Sequence, residues 1–186
     1  SFHYYEPHLL THQGVVSRDP VERFRRYLAD LPYPPRRTDE ARVEAATKAR
    51  IDADRDLSGD DRTRLQSVTR EAIARYFDER WSNERIARIF DDVAAWASRH
   101  GIGRDRVILG EFGVTRGAGH AEGAAMAAPL AWLRDVRCAA QRHGFPWSVW
   151  ELNGVGGMAI VDPGSRNRID PVIRDALGLA AASSGT

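Results

Sequence analysis

Two short apolar runs constrain this chain more than any other feature. Arg106 to Phe112 (RVILGEF) and Phe145 to Glu151 (FPWSVWE) each follow an Arg-His-Gly triplet, Arg99 to Gly101 and Arg142 to Gly144. Glycine suits the left-handed position after a helix, and basic residues suit the helix's negative end. Each triplet therefore reads as a helix terminus and each run as a strand. Both runs look apolar on both faces, as expected of parallel strands buried on two sides. Between them, Ala121 to His143 reads as a helix carrying Ala128, Leu130, Leu133, Val136 and Ala140. Ser1 to Glu6 (SFHYYE) is aromatic-rich and stops at Pro7, so it reads as a further strand. After the last run come a glycine-rich stretch, Gly154 to Gly157, a short apolar piece, Met158 to Val161, and a helix from about Pro171 to Leu179 that Asp170 would cap. Strands alternating with helices in this order predict an α/β fold with a parallel sheet. Three strands do not close a sheet, so the pattern is that of a piece of something larger.

The segment between the first two strands has a different character. His8 to Gly14 reads as a polar loop. Pro20 to Leu31 reads as a short helix with Val21, Phe24, Tyr27 and Leu28 on one face, ended by LPYPP, Leu31 to Pro35. Arg36 to Arg106 then holds 31 of the 53 charged residues, 16 basic and 15 acidic. Mixed signs at that density mark solvated helix faces. A helix is predicted over Asp39 to Leu57. Ser58 with Asp61 forms a capping box for a second helix bearing Leu65, Val68, Ala72 and Tyr76. Ser82 or Asn83 would cap a third, with Ile86, Ile89, Phe90, Val93 and Trp96 on one face.

Composition removes several function classes. The 27 basic and 26 acidic residues leave a net charge of +1, which argues against a nucleic-acid or polyanion partner. The lone cysteine, Cys138, allows no intramolecular disulfide and no cysteine-based zinc site. No apolar run approaches the ~20 residues that span a bilayer, so no membrane partner is expected. Twenty-six of the basic residues are Arg and one is Lys48, a bias that codon usage explains.

Three glutamates, Glu6, Glu111 and Glu151, sit at or just past the ends of the three predicted strands. Sites in parallel α/β folds collect there. Glu111 is the strongest candidate, because it lies between Gly110 and Phe112-Gly113 in an apolar strand where a charge has no structural reason. His3 and Tyr5 are two apart and would face one side of a strand. Trp150 could stack on a sugar ring, while Trp147 reads as core. His3, His8 and His12 with Glu6 could be a metal cluster, but their spacing does not put them on one helix face. Gly117 to Gly123 and Gly154 to Gly157 lack both phosphate-loop patterns.

With those residues in view, the chain resembles family 5 glycoside hydrolases, the cellulase family. FHYYEPHLLTHQG, Phe2 to Gly14, is similar to that family's sixth-strand segment. LGEFGV, Leu109 to Val114, resembles the seventh-strand motif whose Glu is the catalytic nucleophile. WSVWELNGVGGMAIVD, Trp147 to Asp162, resembles the eighth strand and the loop behind it, and DPVIRDALGL, Asp170 to Leu179, suits the last helix. The resemblance runs through essentially the whole chain. It implies the C-terminal portion of a (β/α)₈ TIM barrel, strands six to eight, as one partial-barrel domain over 1–186 with a helical insertion at 36–80. Such a barrel takes roughly 250 residues.

The resemblance also implies roles. Glu111 matches the nucleophile, Tyr5 the Tyr that hydrogen-bonds it and His3 the His lining the same subsite. Trp150 matches the aromatic platform, and with His12 and Asn153 makes up the expected substrate-binding set. Retaining hydrolysis needs a second carboxyl group about 5–5.5 Å from the first. The family's acid/base Glu follows an Asn on the fourth strand; here the one Asn-Glu, Asn83-Glu84, opens a charged helix. The expectation is thus a hydrolase of β-linked glucan whose acid/base Glu lies in a missing N-terminal half, with no cofactor and no metal. A poly- or oligosaccharide is the expected partner, this chain alone is expected to be inactive, and the family implies a secreted or periplasmic protein. Other readings are a β-mannan hydrolase of the same family, a non-catalytic carbohydrate-binding half-barrel, and a metallohydrolase using His3, His8 and His12.

Overall fold

A computed structural model of the chain describes residues 1–19, 21–116, 126–154, 157–161 and 168–179. The chain divides into two compact units, one made of Ser1–Tyr4, Asn83–Gly113 and Leu130–Thr186, the other of Tyr5–Ser82 and Val114–Pro129.

The first unit is built on two parallel strands, β1 (Phe2–Tyr4) and β2 (Leu109–Phe112). The register pairs Phe2 with Leu109, His3 with Glu111 and Tyr4 with Phe112, with an irregularity between Phe2 and His3. Such a slip lets two residues of one strand oppose one of the other and re-aims the side chains beyond it. Helices α4 (Asn83–Arg99) and α5 (Ala127–His143) supply the cover. Phe90 of α4 meets the rings of Phe2 and Tyr4 edge-on at 5.5 and 5.3 Å. Trp132 of α5 stacks on Tyr4 at 6.2 Å and lies 6.3 Å from Phe112. Phe90, Leu109, Phe112 and Trp132 are fully buried, so this aromatic layer is the unit's core.

The expected third strand is present as a single parallel bridge, Leu109 to Trp147. Leu109 N donates to Pro146 O and Ser148 N to Leu109 O. The next bond runs from Trp150 N to Phe112 O, one residue further along than a regular ladder would place it. The Ser148 hydroxyl takes the Gly110 carbonyl, and that slip ends the regular pairing. Gly113 is required here, because a Cβ at that position would overlap the Trp150 carbonyl. The chain then doubles back, with Ile160 N on Glu151 O and Val161 N on Leu152 O. It ends in α6 (Pro171–Ala176), whose cap is Asp170 accepting from Val172 N at 3.0 Å. The expectation that both faces of the strands are apolar is corrected: His3 is exposed, Ile108 is half exposed, and Gly110 and Glu111 are partly open.

Both Arg-His-Gly triplets end helices as read. Gly101 and Gly144 have φ of 66° and 70° with open space where a Cβ would sit, so backbone conformation alone selects glycine. On α4 the buried residues are Ile86, Ala87, Phe90, Ala94 and Ala97. Trp96, expected on the buried face, is 46% exposed. The small alanines let α4 approach the sheet and so rotate the larger stripe partly outward. Helix α5 begins at Ala127, and the expected stretch before it, 121–125, lies outside the described residues, as do the glycine-rich 117–123 and 155–156.

The second unit opens with α1 (His8–Thr11), where a polar loop was expected. Glu6 Oε2 accepts from His8 N at 3.1 Å and supplies the start that the sequence spacing hid. Gln13 is almost fully buried and joins three segments: its amide oxygen accepts Leu31 N, its carbonyl accepts the Thr115 hydroxyl, and Thr115 N reaches Thr11 O. Where a helix was expected over 20–31, the described residues form a 3₁₀ turn, Arg23–Tyr27.

Residues 36–80 form a 3₁₀ turn, α2 (Glu40–Ala53) and α3 (Gly59–Asp78). Ser58 caps α3 by accepting from Asp61 N, as the capping box predicted. The buried face of α3 is Leu65, Thr69, Ile73, Tyr76 and Phe77; Val68, expected there, is 40% exposed. Arg62 donates to the carbonyls of Ile51, Asp52 and Asp54, closing the end of α2. The buried Tyr76 phenol donates to Pro32 O at 2.6 Å and fixes the proline-rich loop. Burial pushes its pKa up, so it remains a donor.

Two substitutions test this packing. Trp132→Ala should destabilise the protein by about 3–5 kcal/mol, the cost of emptying an aromatic site in a core. Tyr76→Phe, which removes one buried hydrogen bond, should cost about 1 kcal/mol. Urea midpoints at unchanged slope would check both.

Candidate active site

Parallel pairing and the glycines around Glu111 build the candidate centre in the first unit. The register sets His3 opposite Glu111, and His3 Nδ1 stands 3.2 Å from Glu111 Oε2. Gly110 lies alongside, where a Cβ would sit in contact with the imidazole at 3.4 Å. The Glu111 side chain is 29% exposed, so it is sheltered and still reachable by a solute. The carboxylate stands at the open side of the strand. An imidazole and a carboxylate at this distance share a proton or an ion-pair contact that orients the carboxylate.

Trp150 follows from the same strand. Its N–H donates to Phe112 O at 2.8 Å, one residue past Glu111, and its side chain is half exposed, as a stacking platform requires. Trp147 is half-buried and packs edge-on against Phe112 at 5.7 Å, the core role expected of it. Asn153 is exposed in the turn beyond Trp150. The Glu151 carboxylate folds over Gly154, in space that a Cβ would occupy.

Tyr5 and His12 lie in the second unit, and there the fold brings them together. Their rings are 5.4 Å apart, and the His8 ring stacks on His12 at 4.7 Å and 7°. The Thr11 hydroxyl donates to Tyr5 O at 2.6 Å and lies 2.9 Å from His12 Nδ1. Thr11 was missed as a member of this cluster, while His8 had been grouped with His12 only as a candidate metal ligand. The i, i+4 spacing of His8 and His12 across α1 and its C-cap brings these two rings together, while His3 stands apart on β1, so the three do not share one helix face. Burial, the neighbouring His8 and the Arg25 charge hold His12 down at about pKa 4. That environment disfavours a further cation. Among the described residues, no group of three or more His, Cys, Asp or Glu side chains is arranged to hold a metal ion.

No protein-family model matches this chain, and no curated protein sequence matches it. Solved structures do. The cellulose synthase subunit Z (CcsZ) of Clostridioides difficile is 22% identical, with a TM-score of 0.54 over 95% of this chain and 39% of its own. Cel5A of Thermotoga maritima, solved with cellobiose, is 15% identical, with a TM-score of 0.50 over 95% of this chain and 38% of its own. A hyperthermophilic endo-β-1,4-glucanase solved with substrate is 24% identical at a TM-score of 0.48. The first two carry the likeness, which is one of fold: the chain resembles part of a family 5 cellulase. Its fold is similar to part of the TIM barrel of those structures. The chain spans about two-fifths of the length of these structures.

The depressed His12 makes a pH prediction. Between pH 6.5 and about 4 the unfolded chain protonates His12 and the folded one does not. The unfolded state then binds more protons, so stability from this group falls as pH falls through that window. His12→Gln should flatten the pH dependence of the denaturation midpoint there; an unchanged slope would contradict the assignment.

Proposed function

We propose that this chain is the C-terminal part of a retaining glycoside hydrolase acting on β-linked glucan. The observation that carries the reading is the His3–Glu111 pair, 3.2 Å apart at one edge of two parallel strands, beside an exposed Trp150. Glu111 is the nucleophile. It attacks the anomeric carbon and forms a glycosyl-enzyme, which water then cleaves. His3, donating from Nδ1, aims the carboxylate. Trp150 stacks on the sugar, with Asn153 in the turn beyond it, and Tyr5 and His12 keep the roles that the resemblance implies for them. The group that protonates the leaving oxygen is a Glu contributed by an N-terminal half of the barrel. A glucan substrate suits the near-neutral charge, and export of the protein follows from a polymeric substrate too large to enter a cell.

A 2-fluoro-glycoside inactivator should label Glu111 in the full-length protein; labelling of another residue would remove the assignment. Glu111→Gln should lower turnover by at least ~10³-fold with little change in stability, since a nucleophile's loss removes the covalent route. The 186-residue chain by itself should show no β-glucan hydrolysis, because one carboxyl group of the pair is absent. Reducing-sugar release by that purified chain would contradict this.

A further inference from the structure

A threonine hydroxyl decides which nitrogen of His12 carries the proton. Thr11 Oγ1 lies 2.6 Å from Tyr5 O and 2.9 Å from His12 Nδ1, with the Pro7 and His8 carbonyls further off at 3.4 and 3.5 Å. A backbone carbonyl only accepts, and two oxygens come this close only with a proton between them. The single hydroxyl proton is therefore committed to Tyr5 O. Toward His12 the Thr11 oxygen can only accept, so Nδ1 must be the donor. A neutral imidazole with its proton on Nδ1 carries a bare lone pair on Nε2. His12 Nε2 has no hydrogen-bond partner among the described residues and is not a buried atom, so that lone pair is open to a solute.

The surroundings keep the ring neutral and hold it in place. Burial first, then the neighbouring His8 and the Arg25 charge, keep its pKa at about 4, against a smaller opposing pull from the His8 carbonyl. His8, stacked at 4.7 Å, and Tyr5, at 5.4 Å, restrict the plane of the ring. The His12 N–H donates to His8 O at 3.1 Å, which fixes the backbone beneath it. An acceptor held in this way selects its ligand. It takes an O–H or N–H donor and offers nothing to an anion or a carbonyl oxygen. The same positive surroundings that keep a proton off Nε2 oppose a metal cation. A glucan chain presents hydroxyl donors along its whole length.

We propose that Thr11 sets the tautomer of His12, and that His12 offers Nε2 as a hydrogen-bond acceptor to a hydroxyl of the bound glucan. Thr11 is a positioning residue, acting on the sugar only through the imidazole. The inference deepens the glucan-hydrolase reading above and rests on it for the ligand, while the tautomer rests on the geometry alone.

The test uses the full-length protein with ¹⁵N-labelled histidine rings, His12 being assigned by its loss in His12→Gln. Long-range ¹H–¹⁵N spectra at neutral pH should show Nδ1 protonated and Nε2 bare. Thr11→Val should move the ring toward the Nε2–H form, while Thr11→Ser keeps the parent pattern. Cellotetraose affinity is then measured by calorimetry in the Glu111→Gln background, where the sugar is not turned over. His12→Phe keeps a stacking ring and removes the acceptor, so it should weaken binding by about five- to tenfold, the worth of one hydrogen bond. His12→Gln, whose amide oxygen can accept, should recover most of that loss. Thr11→Val should weaken binding in the same direction, and Thr11→Ser should bind as the parent does. An Nε2–H tautomer in the parent overturns the inference. So does cellotetraose binding that His12→Phe leaves unchanged, a result that spares the functional reading. An Nδ1–H tautomer with no cellotetraose binding in any form overturns the glucan reading and, with it, the ligand named here.

Discussion

The parallel pairing of β1 with β2, clamped by one aromatic layer, is what the first unit depends on. Two short strands have too few hydrogen bonds to stand alone. Phe90 and Trp132 make the difference, because both reach the Tyr4 ring and bury it against the sheet. Anchoring the strands on that face leaves the opposite side chains, His3 and Glu111, free to meet. The candidate centre is thus a consequence of the core, and the register that seats Tyr4 against Phe112 also sets His3 against Glu111.

Glycine acts at the points of closest approach. Gly110 leaves room for the His3 imidazole, and Gly113 lets the Trp150 carbonyl come against β2. A side chain at Gly113 would push apart elements that the site needs together. The second unit uses a different device. Buried polar groups satisfy irregular backbone there: the Gln13 amide joins two irregular segments, and the Tyr76 phenol ties the proline-rich loop to α3. Arg62 does the same for the end of α2.

Much of this was legible in the chain itself. The Arg-His-Gly helix ends, the Ser58 capping box and the Asp170 cap depend on local chemistry, and each is where the pattern put it. Local helical spacing located α3 and α4, but which residues face inward depended on neighbours. Val68 and Trp96 belong to apolar stripes and are nonetheless open, because Thr69 and the α4 alanines allow closer packing. The short α1 escaped notice, since a single turn carries no periodicity and relies on the Glu6 contact.

What the sequence by itself determined is the order of elements, their caps, and Glu111 as the carboxylate out of place in an apolar strand. Those are properties of adjacent residues, written at spacings of two to four positions. Only the tertiary structure decided that His3 reaches Glu111 across more than a hundred residues, that His8 and His12 stack, and that the third strand keeps one bridge. Each depends on register and on which surfaces meet. Those follow from competition among many packing contacts, and no local pattern encodes its outcome.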